Sequence, residues 1–261
     1  MLAVISISAP VQAAPPEIEG ERELQEQINR SLEWFELFAG STPLEPMAVL
    51  RWDNNARGSQ TGLTALYIGK GRPEAIVCIY PWEQNLVHEF ASLSRGPVSG
   101  RRDGVLFWQA QAAGVQFRAV PAAEAPSGSP AARLRQMKAL ARRFDATLVG
   151  WKRDDSDRQE LRLMPRPLHR YEKPPGEVID GAVFSFAMGT DPEVILLIEA
   201  VEKAGRQQWQ FAFARRTSGE LQARLNGEIV WTAERFPNTS DPAGTDRNVR
   251  TPLSELTSPG Q

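Results

Sequence analysis

Gly62–Trp82 reads GLTALYIGKGRPEAIVCIYPW, and Gly181–Val201 reads GAVFSFAMGTDPEVILLIEAV. The two stretches align 119 residues apart, with identities at Gly62/Gly181, Pro73/Pro192, Glu74/Glu193, Ile76/Ile195 and Ile79/Ile198. Each holds two apolar runs around a short Gly- and Pro-containing break, the pattern of strand, tight turn and strand. Ala75–Tyr80 and Val194–Ile198 are apolar at consecutive positions, so these strands are expected to be covered on both faces.

The correspondence extends outward. FASLSRGPVSGRRDGVLFWQA (90–110) aligns with FARRTSGELQARLNGEIVWTA (213–233) 123 residues on, with identities at Phe90/Phe213, Ala91/Ala214, Gly96/Gly219, Arg101/Arg224, Gly104/Gly227, Trp108/Trp231 and Ala110/Ala233. Asp103-Gly104 and Asn226-Gly227 are dipeptides that enter the positive-φ region readily and favour two-residue hairpins. A shorter match, VLRW (49–52) with ELRL (160–163), implies an offset of 111. Self-similarity on this scale reads as one unit used twice.

Upstream of each block lies an apolar stripe at helical spacing: Leu24, Ile28, Leu32 and Phe35 within 17–38, and Leu134, Met137, Leu140, Ala141 and Phe144 within 131–145. The expected fold is therefore α+β, with two similar lobes from an internal duplication. Each lobe is one helix plus about six mainly antiparallel strands, and the sheets share a core. The expected boundaries are a signal-like segment at 1–13, a first copy at 17–118, a Pro/Ala/Ser linker at 119–130 and a second copy at 131–234. Residues 235–261, rich in Pro and polar residues, read as a disordered tail.

At 261 residues, 41% hydrophobic and 24% charged, the composition is that of an ordinary globular protein. A net charge of −2 gives no electrostatic reason to expect nucleic acid or an anionic membrane as partner. The opening MLAVISISAPVQAAPP places Val11 and Ala13 at the spacing of a secretory cleavage site, so export is expected even though no basic residue precedes the apolar run. No stretch reaches the ~20 apolar residues of a membrane span. The single cysteine, Cys78, lies within AIVCIY and is expected to be a shielded hydrophobe.

Few residues invite chemistry. His88 takes the place of Phe211 in the repeat alignment and alternates with Leu86 and Phe90, which aims it at the apolar face. Glu89 then points the other way, and no second histidine follows at zinc-protease spacing. His169 lies in LRLMPRPLHRYEKPP among Arg162, Arg166, Arg170 and Tyr171, where the prolines argue for an extended edge over a basic helix face. Nucleophile elbows, phosphate-binding loops, dinucleotide fingerprints and Cys/His metal spacings are missing, so neither catalytic nor metal residues are assigned and no cofactor is implied. Of seven tryptophans, Trp108, Trp209 and Trp231 read as core, while Trp82 and Trp151 stand beside charged or loop residues.

The runs LRLMPRPLHRYE, DGAVFSFAMGTDPEVILLIEAV and SPAARLRQMKALARRFDATL resemble a group of uncharacterised, predicted exported proteins of planctomycete-type bacteria. The resemblance implies a shared fold and brings no activity and no functional residue. Three functions are then open. The leading one is a non-enzymatic binding or interaction module, to be recognised by an exposed apolar patch or an open sheet edge. A hydrolase without a recognisable motif needs His88 reachable by solvent. A carrier of a small apolar ligand needs a cavity between sheets lined by Tyr67, His88, Phe184, Phe186 and Phe211.

Overall fold

Two-residue turns set the architecture. In the computed structural model, which describes residues 19–54, 60–149, 158–171, 174, 176–235 and 241–256, positive φ angles at Lys70-Gly71, Asp103-Gly104, Ala204-Gly205 and Asn226-Gly227 fold consecutive strands back on themselves. The elements are α1 (Glu19–Arg30), a 3-10 turn (Ser31–Trp34), β1 (Phe35–Ala39), β2 (Thr42–Asn54), β3 (Gln60–Gly69), β4 (Arg72–Trp82), β5 (Asn85–Ser92), β6 (Val98–Arg102), β7 (Val105–Ala110) and β8 (Arg118–Ala119). Then come α2 (Pro130–Ala141), β9 (Phe144–Val149), β10 (Arg158–Leu163), β11 (His169–Arg170), β12 (Val178–Met188), β13 (Asp191–Lys203), β14 (Arg206–Arg215), β15 (Glu220–Leu225), β16 (Glu228–Ala233), β17 (Asp246–Pro252) and α3 (Leu253–Leu256).

These residues build two strongly curved antiparallel sheets. The first has the order β17-β5-β4-β3-β2-β1-β6-β7, and the second β16-β15-β9-β10-β12-β13-β14-β8, with β11 added on β12. Leaving out β17, β8 and β11, the second order repeats the first strand for strand. Register agrees as well. Leu63↔Ile79, Leu66↔Ile76 and Tyr67↔Ala75 recur as Ala182↔Ile198, Ser185↔Ile195 and Phe186↔Val194, and a bulge follows Tyr67 as one follows Phe186. Gly100↔Trp108 recurs as Ala223↔Trp231, again with a bulge immediately after.

The α+β class is overturned: 59% of the described residues lie in strands and only 14% are helical, so the fold is mostly β, built of two near-barrel sheets. The helical stripes ran too far in the sequence reading. Phe35 and Phe144 continue each helix's spacing, yet they open β1 and β9, because strand and helix face the same core. Ser129 caps α2 by accepting a hydrogen bond from the Ala132 N–H, and Pro130 fits the first turn. The match of 49–52 with 160–163 also fails. Leu44 pairs with Leu37 where Leu161 pairs with Ala146, so β2 and β10 correspond 117 residues apart, not 111.

Three apolar clusters result. The first sheet wraps Ile28 and Leu32 with Tyr67, Phe90 and Trp108. The second wraps Met137, Leu140 and Ala141 with Phe184, Phe186 and Phe211. Between the sheets' outer faces a third joins Leu66, Ile76 and Ala91 to Val183, Ile195, Leu197 and Ala214. That arrangement explains β4 and β13, which are apolar at nearly every position because each face meets a different core. Gly62 and Gly181 each lie under an aromatic ring, Trp52 and Tyr171 respectively, where an added Cβ would come within 2.2 and 2.5 Å of ring carbons. The presumed tail is overturned in part: Asp246–Pro252 forms β17, paired with β5 from Asn85 to Ala91. The presumed linker likewise contributes Ala119 to β8. The signal-like segment 1–13 lies outside the described residues.

Candidate functional site

His88 is fully buried on β5, among the rings of Trp34, Phe35 and Phe90. Its Nε2 lies 2.9 Å from the Ser31 hydroxyl, which itself donates to the Ile28 carbonyl at 2.8 Å. With the hydroxyl proton engaged, Nε2 carries hydrogen and donates, leaving Nδ1 as a buried acceptor with no partner among the described residues. Burial, aided by the Arg102 charge, pulls the imidazole pKa down to about 3. A sealed neutral ring cannot meet a substrate, which removes the basis for His88 as a hydrolytic base.

The five residues expected to line one chamber are divided. Tyr67 belongs to the first core and His88 abuts it, while Phe184, Phe186 and Phe211 belong to the second, with the inter-sheet core between. All are at most 3% exposed. The Tyr67 hydroxyl donates to the Leu32 carbonyl at 3.4 Å, and burial raises its pKa above the usual phenol range. Cys78 is equally inert, its thiol pushed up to about 12 by burial. Among the described residues, no cluster of three or more His, Cys, Asp or Glu has the arrangement of a metal site.

The arginines near His169 serve the structure. Arg170 forks onto Asp180 with contacts of 3.0 and 2.6 Å, Arg133 reaches the same carboxylate from α2 at 2.9 Å, and Arg162 donates to the Gly189 carbonyl. The Tyr171 hydroxyl donates at 3.0 Å to Glu199, a wholly buried carboxylate between the sheets. Glu199 also accepts from Arg72 (2.9 Å), Gln210 (2.7 Å) and Arg95. Arg72 and Arg95 come from the first sheet's side and the other two partners from the second, so the Glu199 carboxylate, with both oxygens engaged, links the halves. Trp82 is 47% exposed on the β4–β5 turn, and Trp151 lies outside the described residues.

What distinguishes the two sheets is how each closes. A curled sheet must either join its edge strands or leave a seam between them. In the first sheet β17 and the residues before it fill the seam. The Gln109 N–H donates to the Pro242 carbonyl (2.7 Å), the Trp108 indole to Gly244 (2.8 Å) and the Arg247 guanidinium to Phe107 (3.0 Å). Trp108 is left with no exposed surface. In the second sheet the corresponding place holds, among the described residues, only β8, which pairs Arg118 with Phe211 and Ala119 with Gln210. Among the described residues Arg118 alone reaches across, donating to the Val230 carbonyl at 2.9 Å.

An open groove of about 480 Å³ remains between β8 and β16. Phe211 and Phe213 form its floor, Gln116 and Arg118 one wall, and Ile229 to Thr232 the other. Trp231, the counterpart of Trp108, is only half-buried, stacked on Phe213 at 5.5 Å. Thr232 corresponds to Gln109, whose N–H points into the seam; among the described residues no bond like Gln109–Pro242 is made there. Ile229 at the lip is 56% exposed. Sequence reasoning missed this site because β17 was hidden in a Pro-rich stretch. The alternation of Arg247, Val249 and Thr251 was the one available signal. No protein-family model, curated protein or solved structure matches this chain.

Proposed function

We propose that this chain is a non-enzymatic binding module that holds a partner in the open seam of its second sheet. The single observation behind this reading is the contrast between two seams of matching topology, one filled by the chain's own strand and one left as a groove with an exposed apolar lip. Agreement of register and bulge positions favours two copies of one ancestral unit, of which the second has kept its edge for another molecule. The sealed His88 takes away the one base on which a hydrolytic reading was built, which favours binding over hydrolysis. Work outside the cytoplasm is part of the proposal, motivated by the Val11 and Ala13 spacing.

Leu106 and Ile229 provide the test. They occupy equivalent positions on equivalent hairpins and are 49% and 56% exposed, but they flank the closed and the open seam respectively. A photoreactive benzoylphenylalanine placed at each should form a discrete protein adduct in the source cells from position 229 and none from 106. Equal yields, or adducts from 106 alone, would defeat the proposal.

A further inference from the structure

The filled seam describes what the empty one would take. β17 is an extended strand that buries Thr251 and packs Val249 on the first core, and the residues preceding it offer carbonyls to the Gln109 amide and the Trp108 indole. The edge of β14 that matches β17's place is taken by β8. The β16 side, however, presents the counterparts of what meets residues 242–247 in the first seam: the Trp231 indole and, by register, the outward Thr232 N–H, beside a floor of Phe211 and Phe213. Charge differs. Beside β17 stands Glu89, which accepts from Asn248 at 3.2 Å, and the strand itself carries Arg247 and Arg250. Ala212 replaces Glu89 in the second sheet, and among the described residues lining the groove Arg118 is the one that is charged.

Resting on the reading of this seam as the docking place, we infer that its occupant is an extended, acidic segment of a partner protein. It adds as a strand along the outer edge of β16. Apolar side chains at alternate positions cover Phe211 and Phe213, one main-chain carbonyl takes the Thr232 N–H, and a carboxylate faces Arg118. Strand addition of this kind draws affinity from main-chain hydrogen bonds and selectivity from alternate side chains.

The probe is the synthetic peptide acetyl-TEVTVEVT-amide carrying a nitroxide at one end, titrated into the full chain labelled with nitrogen-15. Its charge-reversed twin acetyl-TKVTVKVT-amide is the control. Binding should broaden the amide signals of Ile229 to Ala233 and leave those of Val105 to Ala110 unaffected. The twin should bind at least ten-fold more weakly. Arg118→Glu should invert that preference. Thr232→Pro should abolish binding while the remaining amide spectrum shows an intact fold, since proline is tolerated where the lost N–H points off a sheet edge. Failure of both peptides to bind at millimolar concentration, or broadening away from β16, overturns the inference. If position 229 still forms its adduct, such a failure leaves the binding module standing with a different class of partner. If that adduct also fails to form, both ideas fall.

Discussion

The first and second sheets share strand order, hairpin register and bulges, yet they differ at the seam, where Trp108 is buried under Gly244 and Trp231 lies half open. One pattern of strands therefore has two endings. Antiparallel register is set by hairpin turns and core-facing residues, which both halves retain. Closure depends on whatever strand is supplied from elsewhere in the chain, and among the described residues only the first sheet receives one of adequate length. Stability belongs to the filled seam and availability to the empty one.

The sharpest way to break this comparison is to separate the halves. Glu199→Ala removes the wholly buried partner of Arg72, itself 4% exposed, leaving it only the Glu74 carboxylate, and should lower unfolding stability by about 3 kcal/mol or more in urea titration. A change below 1 kcal/mol would mean that the clamp between the sheets is dispensable. Next, ending the chain after Glu234 removes β17 and should cost about 3 kcal/mol, given ladder bonds worth about 0.5–1.5 kcal/mol each, partly offset by the entropy regained. The truncated first seam should then resemble the second, with the Trp108 fluorescence moving to longer wavelength. Unchanged emission would show that β17 does not close the sheet.

The third variant makes the two sheets more alike. His88→Phe installs the residue found at Phe211. The folded imidazole titrates near 3 and the unfolded one near 6.5, so its neutral form contributes full stability above pH 6.5. As pH falls from 6.5 towards 3, the unfolded state takes up a proton that the folded state refuses, and stability drops by up to about 1.4 kcal/mol per pH unit. The variant should lack that acid limb in denaturant titrations at pH 7, 5 and 4. An identical limb would place the ring in water. The smallest effect is a paired one. Trp108→Phe forfeits the bond to Gly244 and should cost about 2 kcal/mol, whereas Trp231→Phe should cost under about 0.5 kcal/mol. Equal losses would contradict the difference between the seams.

How much of this could be read from the sequence depended on whether the signal was local. Asp103-Gly104 and Asn226-Gly227 announced their turns because positive φ is a property of a dipeptide. The two-faced burial of Ala75–Tyr80 and Val194–Ile198 followed from unbroken apolar runs. The helical share was overrated because Phe35 and Phe144 keep helical spacing while starting strands. β17 was lost because its partner β5 lies some 160 positions earlier, a pairing that no window of sequence displays. The groove was invisible for the same reason: Arg118 and Val230 are neighbours only after folding. His88 was aimed correctly at the apolar face, but the Ser31 hydroxyl that meets its Nε2 comes from the 3-10 turn, 57 residues away.

Amide hydrogen exchange at Gln109 and Thr232 tests the central contrast most directly, since the two occupy the same register position on β7 and β16. The Gln109 amide, bonded to Pro242, should exchange at least a hundred-fold more slowly than the Thr232 amide, for which no such bond is made among the described residues. Comparable protection at both positions would mean that the second seam is already filled, and the account would be wrong.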